Sequence, residues 1–430
     1  MKPVLIITYY WPPAGGAGVQ RMLKFCKYLP EFGIKPIVLV PENPIYPITD
    51  ETLSSEISAE TEVHRCYAFE PFSSYAKLTG KSLSEVSNPA TVLNQKSGST
   101  LSKLGVWIRA NIFLPDGRIG WVPFAIQKAQ QLIRNYSPEA VITSGTPHSV
   151  HLIGKSLKNT FRINWIADFR DPWTDIHYNQ VLPRTNWAQK FDQKLELSVL
   201  QEADSIITVS DSLARVLAKK HKRRFEIIPN GFDRDDFESN ANEQNQSSPN
   251  KISIHHVGTL PETSVPHTLF QALAELPDNH NLEIIFTGTV HASVHAFIEK
   301  YNLENVVKCE PYIPFKDAAT KMKSADALLL IIPDVRDSEG IMTGKIFNYL
   351  GAGRPVIMIG PEQGDAAKLL NKVGNSLICE HDDLKKMKSM LENLNSKKIE
   401  QLVSATNTNM IKAFNRREQT QKLHSLIVKT

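Results

Sequence analysis

The sequence of 430 residues has few of the features that mark secreted, membrane-spanning or metal-binding proteins. Its four cysteines, Cys26, Cys66, Cys309 and Cys379, lie far apart without a CxxC pair or a zinc-type spacing, which favours structural thiols in a reducing cytosol. The longest apolar run, residues 327–332, is far too short to span a bilayer. The net charge of +4 is too small to indicate a nucleic-acid-binding protein. These absences predict a cytoplasmic globular protein without a nucleic-acid partner.

What the sequence does contain is a regular alternation of two patterns. Short apolar runs typical of buried strands alternate with segments of helical period, which predicts βαβ units and mostly parallel sheets. The length fits two domains of about 200 residues. Two doubly wound domains are therefore expected, with strands at 4–8, 36–40, 140–143, 164–167, 205–208 and 225–228 in the first half, and at 252–256, 282–287, 306–310, 327–331, 356–359 and 376–379 in the second.

A polar, aperiodic stretch at 238–250 indicates the boundary between these domains. The predicted organisation is a first domain at 1–232, a linker at 233–250, a second domain at 251–405 and a terminal helix at 406–430. Residues 71–102 are rich in Ser, Thr and Lys without clear periodicity, and we interpret them as a surface insertion.

The loop between the first strand and the first helix contains Gly15, Gly16 and Gly18. Glycines allow a close backbone approach, and a helix N-terminus offers free N–H groups to an anion. The third glycine of a dinucleotide-binding GxGxxG motif is missing. A ligand-binding loop is favoured over a tight turn because parallel sheets bind ligands at the carboxyl ends of their strands. In the following helix, residues 19–29, Arg21 and Lys24 are expected to lie off the apolar face.

Polar clusters follow three further strands of the first half. His148 and Ser149 lie in the cluster after the strand at 140–143, and Asp168, Arg170 and Asp171 follow the strand at 164–167. Three charges at a strand end are costly to bury unless they pair with a ligand or with each other, so a structural ion pair remains an alternative to a functional site. Behind the third strand, at 205–208, Ser210 or Asp211 is expected to cap a helix.

One helix of the second half carries an unusual cation. Thr343 is expected to cap this helix and Gly353 to end it. Lys345 then lies in the first turn, where the helix dipole disfavours a positive charge. A bound phosphate would remove this conflict because the first amides and Lys345 would converge on it. Asn348 lies three residues further along the same face, within reach of an attached ribose.

Three charged segments have competing interpretations. Asp233 and Asp235 resemble a metal-binding DxD pair but are expected to open a turn, and the cations of residues 219–224 are expected to form a solvated helix end. Residues 96–134 combine basic residues with Trp107, Trp121 and many aliphatic residues. This composition suggests a contact with an anionic membrane surface, and an ordinary core-facing helix with a basic outer side is an equal alternative.

Taken together, several segments resemble glycosyltransferase family four. They are the start of the chain with its glycine loop, residues 167–173, residues 207–210, residues 228–233, and residues 344–355, which are similar to that family's donor helix. The resemblance covers nearly the whole chain in the expected order. It implies a GT-B fold, in which two doubly wound Rossmann-like domains face each other across a cleft, the second binding a nucleotide sugar and the first the acceptor.

The resemblance also implies roles for single residues. Gly16 and Gly18 would approach the donor diphosphate or sugar, and Lys345 would neutralise the diphosphate. Asp168, Arg170 and Asp171 lie where many members carry a catalytic histidine. The remaining expected contacts to the donor are Glu339, Gly340, Ile341, Met342, Thr343 and Asn348, and those on the acceptor side are His148 and Ser149.

The chain departs from the family pattern at three places. Gly340 and Asn348 occupy the positions of two paired glutamates, Thr259 that of a phosphate-binding arginine, and Arg170 that of the histidine. His255 or His256 is a candidate substitute for the missing arginine.

The expected activity is retaining, metal-independent transfer of a sugar from a nucleotide diphosphate sugar to a hydroxyl acceptor, with no cofactor. Polysaccharide or glycolipid assembly on a lipid-linked glycan, at the inner face of the cell membrane, is the setting that the resemblance suggests. A GT-B sugar-nucleotide epimerase and a catalytically weak sugar-nucleotide-binding protein are the alternatives, the second favoured by the missing arginine and by Asn348.

Overall fold

The chain divides into two compact units, each built on one parallel sheet. The computed structural model describes residues 1–46, 49–69, 100–176, 179, 182–238, 251–277 and 280–428. Unit 1 consists of Met1–Pro229 and Gln419–Thr430, and unit 2 of Asn230–Glu418. Residues 239–250 of the linker expected at 233–250, and residues 71–99 of the insertion expected at 71–102, lie outside the described residues.

Unit 1 contains a seven-stranded parallel sheet in the order β3-β2-β1-β4-β5-β6-β7. This arrangement, with the chain reversing direction across the sheet between β1 and β4, is that of a doubly wound fold. The strands are β1 Lys2–Thr8, β2 Ile34–Pro41, β3 Glu62–Cys66, β4 Ala140–Gly145, β5 Asn164–Phe169, β6 Ser205–Thr208 and β7 Glu226–Ile227. The helices of this half are α1 Ala17–Tyr28, α2 Thr100–Asn111, α3 Val122–Tyr136, α4 Val150–Phe161, α5 Asn186–Glu202 and α6 Asp211–Lys220, with 3₁₀ turns at Leu29–Phe32, Glu51–Glu56 and Ile119–Trp121.

Unit 2 repeats this plan with six parallel strands in the order β10-β9-β8-β11-β12-β13. The strands are β8 Ile252–Val257, β9 Leu282–Thr287, β10 Val307–Glu310, β11 Ala327–Ile331, β12 Val356–Ile359 and β13 Ser376–Cys379. The helices are α7 Asp235–Glu238, α8 His267–Ala274, α9 Ala292–Lys300, α10 Phe315–Ser324, α11 Gly344–Ala352, α12 Asp365–Val373, α13 Leu384–Glu392, α14 Ser396–Ser404, α15 Thr408–Lys412 and α16 Arg416–Ile427, with 3₁₀ turns at Glu262–Ser264 and Ser338–Gly340. The end of α16 belongs to unit 1.

The prediction of two doubly wound sheets is confirmed, and the apolar strands give the physical reason. Strands β1, β4 and β11 are buried over nearly their whole length, as expected for strands covered by helices on both faces. Each sheet accordingly has one apolar core on either side. All twelve predicted strands are present. The edge strand β3 was not predicted, because its sequence EVHRC alternates without an apolar run.

Helix α1 is confirmed, but the expected exposure of two of its cations is wrong. Arg21 and Lys24 have exposed fractions of 0% and 2%. Lys24 pairs with Glu56 at 2.7 Å, and Arg21 pairs with Asp168 at 2.8 Å. Because both positions flank the apolar stripe, each side chain extends into unit 1 and is held there by a carboxylate.

Candidate functional sites

In unit 1 the polar strand ends meet where the sheet reverses its direction of growth. The register aligns Thr8 of β1 with Ser144 of β4, and Ser144 with Asp168 of β5. Carboxyl ends of neighbouring strands at such a point are where doubly wound sheets bind ligands. The cluster after β4, the cluster after β5 and the glycine loop therefore lie at one edge of this sheet.

The carboxylate of Asp168 is used inside the protein. Arg21 donates to both of its oxygens, from Nη2 at 2.8 Å and from Nε at 3.0 Å, and Ser144 Oγ donates to it at 2.8 Å. Asp168 is 1% exposed. The same arginine also donates to the carbonyl of Pro229 at 3.0 Å. The charge of this buried carboxylate is thus compensated within the protein, and Asp168 needs no ligand to balance it.

Arg170 packs beneath the glycine loop. Its Nε and Nη2 donate to the carbonyls of Gly145 and Thr146, at 2.6 Å and 2.8 Å. An ideal Cβ at Gly18 would lie 2.3 Å from Nη1 of Arg170, so a larger residue at this position would displace the guanidinium. Gly16 is required for another reason, since its φ of +98° is one that side chains disfavour while the space around it is open.

Asp171 is less enclosed than Asp168. Its Oδ2 accepts a hydrogen bond from Thr146 Oγ1 at 2.7 Å, and the side chain is only partly buried. Asp171 is thus the acidic residue of this cluster that lies closest to the surface of unit 1.

His148 and Ser149 lie inside unit 1. Ser149 is 0% exposed and donates to Asp116 from both its amide and its hydroxyl group, each at 2.8 Å. The His148 ring stacks on Trp173 with centroids 5.0 Å apart. Burial lowers the pKa of His148 well below its ordinary value, and it lowers the pKa of the neighbouring His151 to about 3. The side chains of His148 and Ser149, expected on the acceptor side, are therefore buried within unit 1.

In unit 2 the cation Lys345 lies beside the carboxyl end of β8. Nζ of Lys345 donates to the carbonyl of Thr259 at 2.7 Å and lies 3.3 Å from Nε2 of His256. Burial lowers the pKa of Lys345 to about 8. An ideal Cβ at Gly258, whose φ is +124°, would lie 2.6 Å from Cε of Lys345. Among the described residues, no carboxylate forms an ion pair with this lysine.

The start of α11 is arranged as the sequence predicted, with one difference. Thr343 occupies the N-cap position and Gly353 ends the helix in the left-handed conformation. However, the Thr343 side chain makes no capping hydrogen bond, and its buried Oγ1 has no partner. The amides of the first turn are therefore not capped by this hydroxyl group.

The other expected donor contacts differ in exposure. Ile341 and Met342 pack against the core of unit 2. Glu339 is exposed on the 3₁₀ turn Ser338–Gly340, while Gly340 and Asn348 are partly buried. Asn348 lies on α11 one turn after Lys345.

The two candidate substitutes for the missing arginine lie apart. His256 is beside Lys345, whereas the charges that act on the pKa of His255 are those of Lys321, Glu310, Glu283 and Asp326. Burial lowers the pKa of His255 to about 4. Only His256 therefore belongs to the Lys345 cluster.

The structure also shows the surroundings of two charged segments, residues 233–235 and residues 219–224. Asp233 is buried and accepts a hydrogen bond from the amide of Asp235, so the DxD-like segment opens a turn as predicted. The solvated helix end expected at 219–224 is wrong in part. Lys220 donates to the buried Glu196 at 2.7 Å, and Arg223 donates to the carbonyls of Leu200 and Ala203.

Residues 100–134 contain both buried and exposed members. Arg118 is 6% exposed with its guanidinium 4.8 Å from the Tyr9 ring centroid, and Trp121 is 0% exposed. Leu104, Trp107 and Ile112 are 53%, 43% and 62% exposed. The segment thus combines a core part with an exposed apolar part, and residues 96–99 lie outside the described residues.

The sequence did not reveal Arg21 or Gly258 as members of these sites. Arg21 follows the glycine loop by three residues, and a cation so close to a strand end was the available signal. Gly258 directly follows a buried strand, as Gly145 ends one in unit 1.

Two negative findings concern the described ranges alone. Their helices are too short or too polar to cross a membrane. Within the same ranges, histidine, cysteine and acidic side chains form no group of three or more that could hold a metal ion.

Comparison with protein families gives one match, to the family described as Glycosyltransferase Family 4, over residues 14–236. Among curated proteins, no sequence matches the chain. Several solved structures share its fold. Sucrose-phosphate synthase from Thermosynechococcus elongatus has a TM-score of 0.66 at 13% identity, with 99% of this chain and 98% of that chain covered.

Two further structures are similar over their whole length. HepE of Anabaena in complex with UDP has a TM-score of 0.65 at 14% identity, with 100% of both chains covered. TarM of S. aureus, in complex with Fondaparinux, alpha-GlcNAc-glycerol and UDP, has a TM-score of 0.62 at 11% identity, again with 100% of both chains covered. At these identities the likeness shows the fold, which is that of the GT-B proteins.

Proposed function

The chain belongs to glycosyltransferase family 4, and we propose that it transfers a sugar from a nucleoside diphosphate sugar to a hydroxyl acceptor with retention of configuration and without a metal ion. The observation that carries the proposal is Lys345, a partly buried cation whose pKa is lowered by desolvation and which has no carboxylate partner among the described residues. A partly desolvated charge without a counter-charge is also costly. An anionic ligand would provide the missing charge.

The diphosphate is the leaving group of this reaction. Cleavage of the anomeric C–O bond passes through an oxocarbenium-like transition state, and negative charge grows on the departing diphosphate. Lys345 and the uncapped first amides of α11 are fixed donors for that charge. Asn348, one turn further along α11, would accept or donate to the ribose hydroxyl groups.

We assign the sugar to the region of Asp171 and Arg170. Asp171 is partly buried and retains acceptor capacity beyond its bond to Thr146. Arg170 would support the glycine loop from below, because its guanidinium lies against Gly18. Asp168 acts one step further away, by holding Arg21 in place.

The proposal of metal independence rests on charge. Lys345 supplies the positive charge that a divalent ion would otherwise bring to a diphosphate, and Asp233 of the DxD-like segment is engaged in a turn. Activity in excess EDTA should equal activity with Mg²⁺ or Mn²⁺. Loss of activity in EDTA that a divalent ion restores would contradict this part of the proposal.

The donor experiment uses UDP-, GDP- and dTDP-sugars with the intact protein. UDP is the first candidate, since HepE and TarM were solved with UDP. Transfer to a hydroxyl acceptor, with an NMR coupling constant that reports the anomer formed, would support the proposal. An epimerised donor would indicate a sugar-nucleotide epimerase, and binding without transfer would indicate a sugar-nucleotide-binding protein.

We further propose polysaccharide or glycolipid assembly on a lipid-linked acceptor, with unit 1 resting on an anionic membrane. One structural relative, WaaG, is described as a glycosyltransferase involved in lipopolysaccharide biosynthesis, at a TM-score of 0.59 and 12% identity. The support within this chain is an exposed surface formed by the end of α2 and the start of α5. Asn111 joins the two helices by bonds to the carbonyl of Pro183 and the amide of Thr185.

This surface, which we term the α2–α5 surface, is apolar and basic. Its acidic residues are turned inward, since Asp192 pairs with Arg184 and Glu196 with Lys220 in the interior. Its exposed members are Leu104, Trp107, Ile112, Trp187 and Phe191, with Lys103, Lys190 and Lys194. Aromatic and aliphatic groups among lysines are typical of surfaces that insert into an anionic lipid interface.

Co-sedimentation with vesicles tests the α2–α5 surface. Binding to vesicles that contain phosphatidylglycerol should exceed binding to phosphatidylcholine vesicles and should fall in the variant Trp187→Ser/Phe191→Ser. Tyr312→Ser, an exposed aromatic of unit 2, is the matched control. Equal sedimentation of both variants with the unaltered protein would contradict the membrane proposal without affecting the donor proposal.

A further inference from the structure

We propose that His256 is a positioning residue that orients the Lys345 ammonium, so that one of its three protons points at a donor phosphate. The inference rests on the proposed donor site and deepens it. The chain has Thr259 where the family pattern would have an arginine. Thr259 contacts the lysine through its backbone carbonyl group. A single lysine without such an arginine needs another means of being held in place.

The imidazole is arranged to accept a hydrogen bond from the lysine. Nδ1 of His256 lies 2.9 Å from the carbonyl oxygen of Leu329, which can only accept. The proton of a neutral ring is therefore on Nδ1, which leaves Nε2 as an acceptor 3.3 Å from Nζ of Lys345. Burial, together with the nearby Lys345 charge, lowers the pKa of His256 to about 3, so the ring is neutral at physiological pH.

Two protein acceptors then determine the direction of the third proton. An ammonium group has three donors. One is directed at Nε2 of His256 and one at the carbonyl of Thr259. The stem of the lysine passes directly over Gly258, where only a residue without a Cβ leaves room for it. The remaining proton is the one available to a ligand.

The groups that face this ammonium include no titratable residue other than His256, as far as the described residues extend. Tyr349, one turn further along α11, accepts from the amide of Val257 and donates to Leu329, and burial raises its pKa far above neutrality. The protonation of Lys345 therefore depends on burial and on the acceptor atoms around it. The pH dependence of nucleotide binding reports this arrangement.

The test measures UDP, GDP and dTDP affinity by calorimetry between pH 6.5 and 9.5. The affinity of the unaltered protein should fall as pH rises through about 8, the pKa of Lys345, since the phosphates themselves are fully ionised above about pH 7. His256→Asn keeps a donor for Leu329 but loses the acceptor for Lys345. It should bind at least tenfold more weakly, with the midpoint shifted to lower pH.

His256→Gln places an amide oxygen at the position of Nε2, and it should recover most of the affinity and the midpoint. Unaltered affinity and midpoint in His256→Asn would show that His256 only fills the core. If the variants do not fold, ¹⁵N shifts of the histidine rings in the unaltered protein decide: a proton on Nε2, or titration near pH 6.5, overturns the inference. If the unaltered protein binds none of the three nucleotides, the donor proposal fails and this inference fails with it.

Discussion

Both units carry charged side chains at the carboxyl end of a parallel sheet, but the two units differ in how these charges are compensated. In unit 1 the charges are compensated by protein, because Asp168 has Arg21 and Ser144, and Arg170 has two carbonyl groups. In unit 2 the ammonium of Lys345 has a neutral imidazole and one carbonyl oxygen but, among the described residues, no anion. A compensated cluster favours a structural role, and the uncompensated cation is the reason for proposing an anionic donor at Lys345.

The largest expected effect is a loss of stability when the ion pair between Asp168 and Arg21 in unit 1 is disrupted. Asp168→Asn leaves Arg21 buried without its counter-charge and should lower the free energy of unfolding by about 3–5 kcal/mol. Urea denaturation measures this loss. The double variant Arg21→Met/Asp168→Leu removes both charges and should recover most of the stability. Normal stability of Asp168→Asn with lost activity would instead return Asp168 to the sugar site.

The next effect concerns the uncompensated side. Lys345→Met removes a charge-assisted contact and should weaken UDP binding by about 1.5–3 kcal/mol, or roughly 10- to 150-fold. The ligand-free protein should be as stable as before or slightly more stable, because a partly desolvated charge without a counter-charge is removed. Calorimetry and thermal unfolding of the same samples give both quantities. A large fall in ligand-free stability with unchanged binding would show that Lys345 is structural.

A smaller effect is expected at Asp171. Asp171→Asn keeps the acceptor for Thr146 but removes the charge, and it should lower turnover about tenfold, equivalent to roughly 1.4 kcal/mol of transition-state stabilisation. Because Arg170 is held by carbonyl groups, the fold should be little affected. Single-turnover kinetics with a saturating donor make the measurement. Full activity together with reduced stability would identify a structural residue.

The smallest expected effect is on the pH dependence of stability, through the histidine side chains buried in unit 1. The folded-state pKa of His148 is well below the unfolded value of about 6.5. The neutral ring therefore contributes its full stability above pH 6.5, and this contribution is lost as pH falls below 6.5 towards the folded pKa. His148→Phe should reduce the loss of unfolding free energy between pH 6.5 and 5.5 by about 1 kcal/mol. UDP affinity at neutral pH should not change, and an unchanged pH slope would contradict the assignment.

The comparison also shows which local features could be read from the sequence. Ser210 caps α6 by accepting from the amide of Leu213, and Gly353 ends α11, because caps depend on neighbouring residues. Strand β3 was missed since an edge strand needs no apolar run, and its pairing with β2 depends on the sheet. The burial of Arg21 was missed for a similar reason, as its partner Asp168 lies 147 residues away.

The sequence by itself determined the two parallel sheets, the positions of their strand ends and the presence of an unusual cation at the start of α11. These properties follow from apolar periodicity and from residues within one helical turn. Only the tertiary structure decided which charges are compensated. Asp168 contacts Arg21, and Lys345 contacts His256, which is 89 residues away in the sequence. Such contacts depend on strand register and helix packing. The distinction between a structural charge and a ligand-binding charge is therefore a property of the folded chain.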